Sequence, residues 1–398
     1  MLLDQIKKAA AEIYPEIVAL RRHLHENPEL SYKEVNTGKF ISKQLTELGI
    51  SHTHGWAEHG CVAIIQGEAE KQSDKVVALR ADIDALPILE INEVPYKSKV
   101  DGVMHACGHD VHTSSLLGTA MILDKVKAHF SGKVKLIFQP AEEKLPGGAS
   151  ILIKEGVLEK PKPQNIFGQH VHPPLEAGTV GFCPGQYMAS ADELYMTVKG
   201  RGGHGALPQD CIDPLVVTAQ IVLALQQVIS REANPLIPSV LTFGKINSVG
   251  GATNVIPNEI QLEGTFRTMD EEWRKKAHKR MKKITKHIAK AYGAVCDLDI
   301  KKGYPSLFNN EELTHKARAY AVEYLGEANV VDLPRRMTAE DFSYYSQEIP
   351  ACFYRLGTGN KEKGITSPVH TNTFDVDESS LSLSTGLMAW MAIQELNA

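Results

Sequence analysis

Apolar residues recur at helical spacing from Leu2 to Leu24 (Leu3, Ile6, Ile13, Ile17, Leu20, Leu24), and Pro15 within the run predicts a break. Asn27-Pro28 closes that segment, and Ser31-Tyr32-Lys33-Glu34 has the form of a capping box for a second helix running to about Leu48. Two short apolar runs, Cys61 to Ile65 and Val76 to Leu79, predict buried strands, the second leading into RADIDALP. After GHDVHT a helix is predicted from Ser114 to about Lys127, then the strand KVKLIFQP. Pro146-Gly147-Gly148 precedes another helix ending near Gly156, and NIFGQH is a further strand. This alternation predicts an α/β domain whose central sheet is mixed, mostly parallel and flanked by helices.

At Ala191 the pattern changes. ELYMTVKGRGG alternates as an exposed strand does, and DPLVVTAQIVLALQQVISR is an amphipathic helix. VLTFGKINSVGG and EIQLEGTFRTM are two more strands, and EEWRKKAHKRMKKITKHIAKAYG is a basic helix with an apolar stripe at Trp273, Ala277, Met281, Ile284 and Ile288. Two helices against a small antiparallel sheet predict an inserted α+β, ferredoxin-like unit over 187–299, splitting the main domain into 1–186 and 300–398. The stripe makes the basic residues a solvated face, and no aromatic residues are interleaved there as a nucleic-acid binder requires. The main fold resumes with a helix from Leu313 to Tyr324, the strand and glycine turn ACFYRLGTGN, and a terminal helix after SPVHTNTFDVDE.

Length and composition agree with this division. A chain of 398 residues is long for one core, and 43% hydrophobic with 23% charged residues describes an ordinary globular protein. A net charge of -5 offers no basic face for nucleic acid and no polybasic membrane anchor. The N-terminus lacks a cationic start with an apolar run and cleavage site, so a cytoplasmic location is expected. The six cysteines are scattered rather than densely spaced, which predicts free thiols.

Chemistry concentrates in GVMHACGHDVHT and QPAEEK. The first packs Cys107, His109, Asp110 and His112 into six residues, and the second sets Glu142 and Glu143 side by side after a strand. A thiolate, an imidazole and a carboxylate from separate loops suit a divalent transition metal, and a spare carboxylate beside them suits a general base. One glutamate is expected to bind metal while the other faces the substrate water; a solvated turn is the plainer alternative. His170, at a strand end, is favoured over His172 as a ligand, and His370 can supply one to a second metal. His23 and His25 read as structural. Asp82 and Asp84 alternate at the end of an interior strand. One of them orients a metal-bound histidine or, equally, caps backbone amides before Pro87; metal ligation by either is the third and least favoured reading, because the site already has enough ligands.

Taken in order, RRHLHENPELSYKE, LRADIDALPILE, MHACGHDVHT, FQPAEE, GQHVHP, GRGGHGALPQDCIDP, TNVIPNEIQLEGTFRT, AEDFSYY and VHTNTFDVDE resemble the M20 metallopeptidase family in its amidohydrolase branch. The resemblance covers nearly the whole chain. It implies two divalent cations per subunit, Mn, Zn, Co or Ni, with Cys107 bridging them, His109 and His170 completing one site, and Glu143 and His370 the other. It further implies Glu142 as general base and acid, and His204 as an oxyanion donor reaching a partner subunit through the inserted unit of a homodimer; of the two strand-end aspartates, Asp84 is taken from the residue reading as the acceptor behind a ligand. Asn254 and Arg267 are candidates for gripping the substrate's carbonyl or α-carboxylate, against a strand-edge cap and a surface salt bridge. The implied reaction is hydrolysis of a small N-acyl amino acid. A dipeptidase or carboxypeptidase, or a silent amide-binding dimer, are the alternatives. One departure from the family pattern is Lys144-Leu145-Pro146 after the paired glutamates, where relatives often carry glycine; a cation there either favours an acidic acyl group or points to solvent, and the solvent reading is preferred.

Overall fold

The computed structural model describes residues 1–71 and 73–398. The chain forms two compact units, one of residues 1–185, 308–334 and 341–398, the other of residues 186–307 and 335–340. The smaller unit therefore extends past residue 299, where the sequence pattern closes it, and takes in a second short segment.

Among the described residues, the larger unit is built on an eight-stranded mixed sheet. Its strand order is His52–Trp56, Gly60–Gln66, Lys133–Gln139, Val76–Asp82, Asn165–Glu176, Ala351–Gly359, Val180–Phe182 and Val330–Asp332. Val76–Asp82 runs parallel to both its neighbours, and Ala351–Gly359 runs parallel to Asn165–Glu176. Val76–Asp82 and Ala351–Gly359 are buried along their length, which is why they read as largely apolar runs, with Arg80 and Arg355 buried among the apolar residues.

Helices Leu2–Glu26, His109–Lys125 and Ser380–Asn397 pack on one another. Pro15 does not break the first of them. An interior proline costs about 3 kcal/mol, but Ile6, Ala9, Ala10, Ile17, Leu20 and Leu24 bury one face across it, and that packing outweighs the lost hydrogen bond. The expected capping box at Ser31–Glu34 does not form either. Helix Val35–Glu47 is capped instead by Glu29, whose carboxylate accepts the Asn36 and Thr37 N–H groups at 2.8 Å each, leaving Ser31 and Glu34 for other partners.

The smaller unit follows a βαββαβ path. Strands Asp192–Lys199, Ser239–Val249, Glu259–Thr268 and Val295–Lys302 form an antiparallel sheet in which Glu259–Thr268 and Asp192–Lys199 are central, the split βαβ arrangement of ferredoxin-like units. Helices Pro214–Gln227 and Glu271–Ala291 pack on it, with Leu194, Met196, Val217, Ile221, Ile260, Ala277 and Met281 in the core. The segment Pro214–Glu232 is long and apolar enough to cross a membrane; Val217, Ile221, Leu225 and Val228 belong to this core, while Leu215, Val216 and Leu223 are exposed.

A buried ion pair ties helix to sheet in this unit. Arg274 Nε donates to Asp192 Oδ2 at 2.9 Å, and His278 Nε2 lies 2.6 Å from the same oxygen. Burial raises the Asp192 pKa, but His278 and Arg274 outweigh it and hold the carboxyl below its usual range. Its contribution to stability is therefore complete above the unfolded carboxyl pKa of about 3.9 and is lost as pH falls further. Asp192→Asn leaves Arg274 paired with the Glu271 carboxylate at 3.1 Å but takes away its charge-assisted partner on the sheet, and a loss of about 1–3 kcal/mol at neutral pH is expected. Urea unfolding at several pH values checks this, with the gap from the natural protein narrowing below about pH 4.

Candidate metal centre

Helix His109–Lys125 begins five residues earlier than the apolar pattern suggests, because the polar residues of its first turn are buried against partners rather than solvated. Gly108 makes the start possible. It sits at φ 78°, and a Cβ there would stand 2.6 Å from Val171 Cγ2, so only glycine lets the helix N-terminus approach the strand that carries His170. Cys107 precedes the turn, His109 opens the helix, and Asp110 and His112 follow on it.

Each imidazole has one nitrogen committed. His170 Nδ1 lies 2.8 Å from the Val171 carbonyl, which can only accept, so the proton is on Nδ1 and the Nε2 lone pair faces Cys107 Sγ at 3.3 Å. Burial, followed by the nearby Arg355 charge, keeps the His170 pKa well below its ordinary value and the ring neutral. His109 Nδ1 lies 3.1 Å from Asp84 Oδ1, which turns Nε2 toward Glu143 Oε1, 3.9 Å away. His370 Nε2 is 3.2 Å from Cys107 Sγ and 3.2 Å from Glu143 Oε1. Asp84 also accepts the Glu143 N–H at 3.0 Å through Oδ2, so one carboxylate orients both a ring and a backbone.

The donors group into two sets sharing one sulfur. Cys107, His109 and His170 form one, Cys107, Glu143 and His370 the other, and within each set the donor atoms lie within 4.8 Å of one another. His109 Nε2 is buried with no hydrogen-bond partner among the described residues, a costly state unless something else binds it. The charges point the same way. Burial disfavours a charged His109, yet Asp82 and Asp84 outweigh it and push its pKa up to about 10. Burial first, then Glu143, Glu142 and Asp82, hold the Cys107 thiol well above its ordinary pKa. Carboxylates strong enough to trap a proton on an interior ring are what a divalent cation would meet there, and thiolate, imidazole and carboxylate are the ligand types such a cation takes. The residues present fit a metal.

His112 of the sequence cluster and His25, outside it, have other work. His112 Nε2 accepts the Val171 N–H at 3.0 Å and its Nδ1 pairs with Asp82 at 2.5 Å, so it has no lone pair left for a metal. His25 contacts Asp110 Oδ2 at 2.7 Å and Glu90 Oε1 at 3.3 Å, and Arg21 Nε donates to the same Asp110 oxygen at 2.8 Å. This network anchors the turn between His109 and His112.

Glu142 lies within 4.8 Å of His109 and Glu143. Its Oε1 accepts the Asp341 N–H at 3.4 Å. Asp341 is held in turn by Arg80 Nη2 at 2.7 Å, by Gln139 Nε2 at 2.9 and 2.8 Å, and by the Ala149 N–H at 3.0 Å. Arg80, Gln139 and Asp341 escape a reading by motif. An arginine inside the apolar run VVALRAD is the available signal, since buried charges are paired ones. The Lys144 side chain is exposed.

The family profile of peptidase family M20/M25/M40 matches residues 78–392. This chain belongs to that family. It is 39% identical to thermostable carboxypeptidase 2 of Saccharolobus solfataricus across 100% of this chain and 99% of the relative. N-acetyl-L-cysteine deacetylase of Bacillus subtilis is 40% identical over 92% of this chain and 85% of that protein. A crystal structure described as a dinuclear metal binding peptidase from Bacillus subtilis superposes with a TM-score of 0.83 at 35% identity, covering 97% of this chain and 99% of the other. Members of the family are hydrolases, and so is this chain.

The remaining candidates lie in the smaller unit. His204 pairs with Val255 across a two-stranded ribbon, and the Gly205 N–H donates to the Asn254 carbonyl at 2.8 Å, so His204 and Asn254 are neighbours. His204 Nδ1 accepts the Ala206 N–H at 3.0 Å, which leaves the ring proton on Nε2. Arg267 is on the strand Glu259–Thr268, where Nη1 donates to the Met337 carbonyl at 3.3 Å.

Proposed function

We propose that the chain hydrolyses the amide bond of N-acyl amino acids, with two divalent cations held by Cys107, His109, His170, Glu143 and His370. The observation that carries this reading is the convergence of five donor side chains around one sulfur, with Glu142 beside them. Bound there, Mn2+, Zn2+, Co2+ or Ni2+ would polarise the scissile carbonyl and acidify the attacking water. Glu142 takes the water's proton and later hands it to the leaving amine, and the Asp341 N–H holds one oxygen of its carboxylate. Asp84 and the Val171 carbonyl keep His109 and His170 in their ligating tautomers.

His204 is the proposed donor to the oxyanion in the site of a second copy, its Nε2–H left available by the Ala206 contact. Asn254 and Arg267 are the proposed grip on the substrate's carbonyl and α-carboxylate. A homodimer through the smaller unit is supported by exposed Leu215, Val216 and Leu223 on one helix, and by the open edge strand Ser239–Val249 with Ile246 and Val249 exposed. Among the described residues no cysteine is in a disulfide, which suits the proposed location in the cytoplasm.

A second reading, carboxypeptidase or dipeptidase, has the archaeal relative's name in its favour. N-acetyl amino acids, hippurate and dipeptides, assayed with each of the four metals after chelation, separate the two. N-acyl amino acids are expected to show a kcat/KM at least about tenfold above dipeptides, a gap of about 1.4 kcal/mol in transition-state binding. Turnover of dipeptides alone would transfer the chain to the peptidase reading.

A further inference from the structure

The segment Ser31–Glu34 has the sequence of a helix cap, and its side chains point elsewhere. Glu34 Oε1 accepts the Ala141 N–H at 2.7 Å. Tyr32 Oη donates to the Lys144 carbonyl at 3.1 Å and accepts the Gly147 N–H at 3.2 Å. Ser31 Oγ donates at 2.6 Å to Asp84 Oδ2, the oxygen that also accepts the Glu143 N–H. Three side chains of one short segment thus reach the loop that carries both glutamates, two of them directly and one through Asp84.

That loop needs holding. Successive residues leaving a strand point to opposite sides, yet Glu142 and Glu143 both lie within 4.8 Å of His109. The chain achieves this by turning at Ala141, which sits at φ 56°, a left-handed conformation that alanine resists. The Ala141 carbonyl accepts the Gly148 N–H at 2.9 Å, and its N–H goes to Glu34. Glu34 is fully buried, and its Oε2 has no hydrogen-bond partner among the described residues.

We infer that Glu34 is a positioning residue for hydrolysis: its carboxyl oxygen pins the strained turn at Ala141 and thereby aims Glu142 at the substrate and Glu143 at the cations. The inference rests on the reading of Glu142 as the base. Tyr32 and Ser31 hold the far side of the same loop. Burial and then the Asp84 charge push the Glu34 pKa up to about 8, so a neutral amide at this position keeps the character the side chain has at neutral pH.

The test compares Glu34→Gln, which retains the acceptor oxygen, with Glu34→Met, which retains the volume and removes it. Each is measured as full-length, Mn2+-loaded protein. In Glu34→Met, kcat is expected to fall about tenfold to a hundredfold, as for a misplacement of the reacting group by about 1 Å, with KM within about threefold. Glu34→Gln is expected to keep kcat within about threefold. Hydrogen exchange of the Ala141 amide needs no substrate: it accelerates at least about tenfold in the Met variant and stays protected in the Gln variant. Unchanged exchange in Glu34→Met, or equal losses in both variants, overturns the inference. So does a Met variant that no longer melts cooperatively, because Glu34 would then belong to the fold rather than to the site. Protected exchange behaviour as described, in a protein that turns over no amide, would keep the clamp and remove the hydrolytic reading instead.

Discussion

Cys107→Ala is expected to lower the metal content from two ions per chain to one or none and to abolish most turnover. The sulfur belongs to both donor sets, 3.3 Å from His170 Nε2 and 3.2 Å from His370 Nε2, so removing it opens both at once. Losing a residue that only supports a ligand costs about 10–100-fold in metal affinity or activity. A shared ligand should exceed that, and a fall in kcat/KM beyond about a thousandfold is expected. Cys352→Ala provides the control, since Cys352 is a buried thiol of the hydrophobic core; its effect should be confined to about 1 kcal/mol of stability with metal content unchanged. Elemental analysis of dialysed protein decides it. Two tightly held ions in Cys107→Ala would mean that the sulfur is not a ligand and that the donor sets are misassigned.

How far the sequence discloses this site depends on whether partners are local. Apolar runs such as Val76–Leu79 announce interior strands because both faces are covered, and the alternation after Ala191 announces a separate antiparallel unit. The mixed sheet with a ferredoxin-like insert follows from those two signals. Cys107, His109 and Glu143 stand out as candidate donors because thiol, imidazole and paired carboxylates cluster in short segments, whereas His170 and His370 lie 63 and 263 positions from Cys107. What holds the donors is less legible. Arg80 and Asp341 are 261 positions apart, and Glu34 and Ala141 are 107 apart. No local pattern links such pairs, because a charge looks solvated until the fold supplies its partner. The same blindness displaced the start of helix His109–Lys125. Its first turn is polar, and only the buried contacts of Asp110 with Arg21 and His25 and of His112 with Asp82 make a polar turn compatible with an interior helix.

The two adjacent glutamates should separate by substitution. Glu142→Gln keeps the side-chain volume and the oxygen that accepts the Asp341 N–H, and removes the capacity to take a proton. General acid–base catalysis contributes about 10^2–10^4-fold, so kcat is expected to fall by that order while KM stays within a few-fold and both cations remain bound. Glu143→Gln acts on a different term. Its Oε1 lies 3.2 Å from His370 Nε2, and a neutral amide there leaves one donor set short of a charge. Metal content should then fall along with kcat, and added Mn2+ should restore part of the rate. Added metal should do nothing for Glu142→Gln, because the missing step is a proton transfer. If instead Glu142→Gln loses a cation and Glu143→Gln retains both, the two roles are exchanged. The turn at Ala141 would then aim the proton acceptor where a ligand has been assigned, and the mechanism would have to be rebuilt around Glu143.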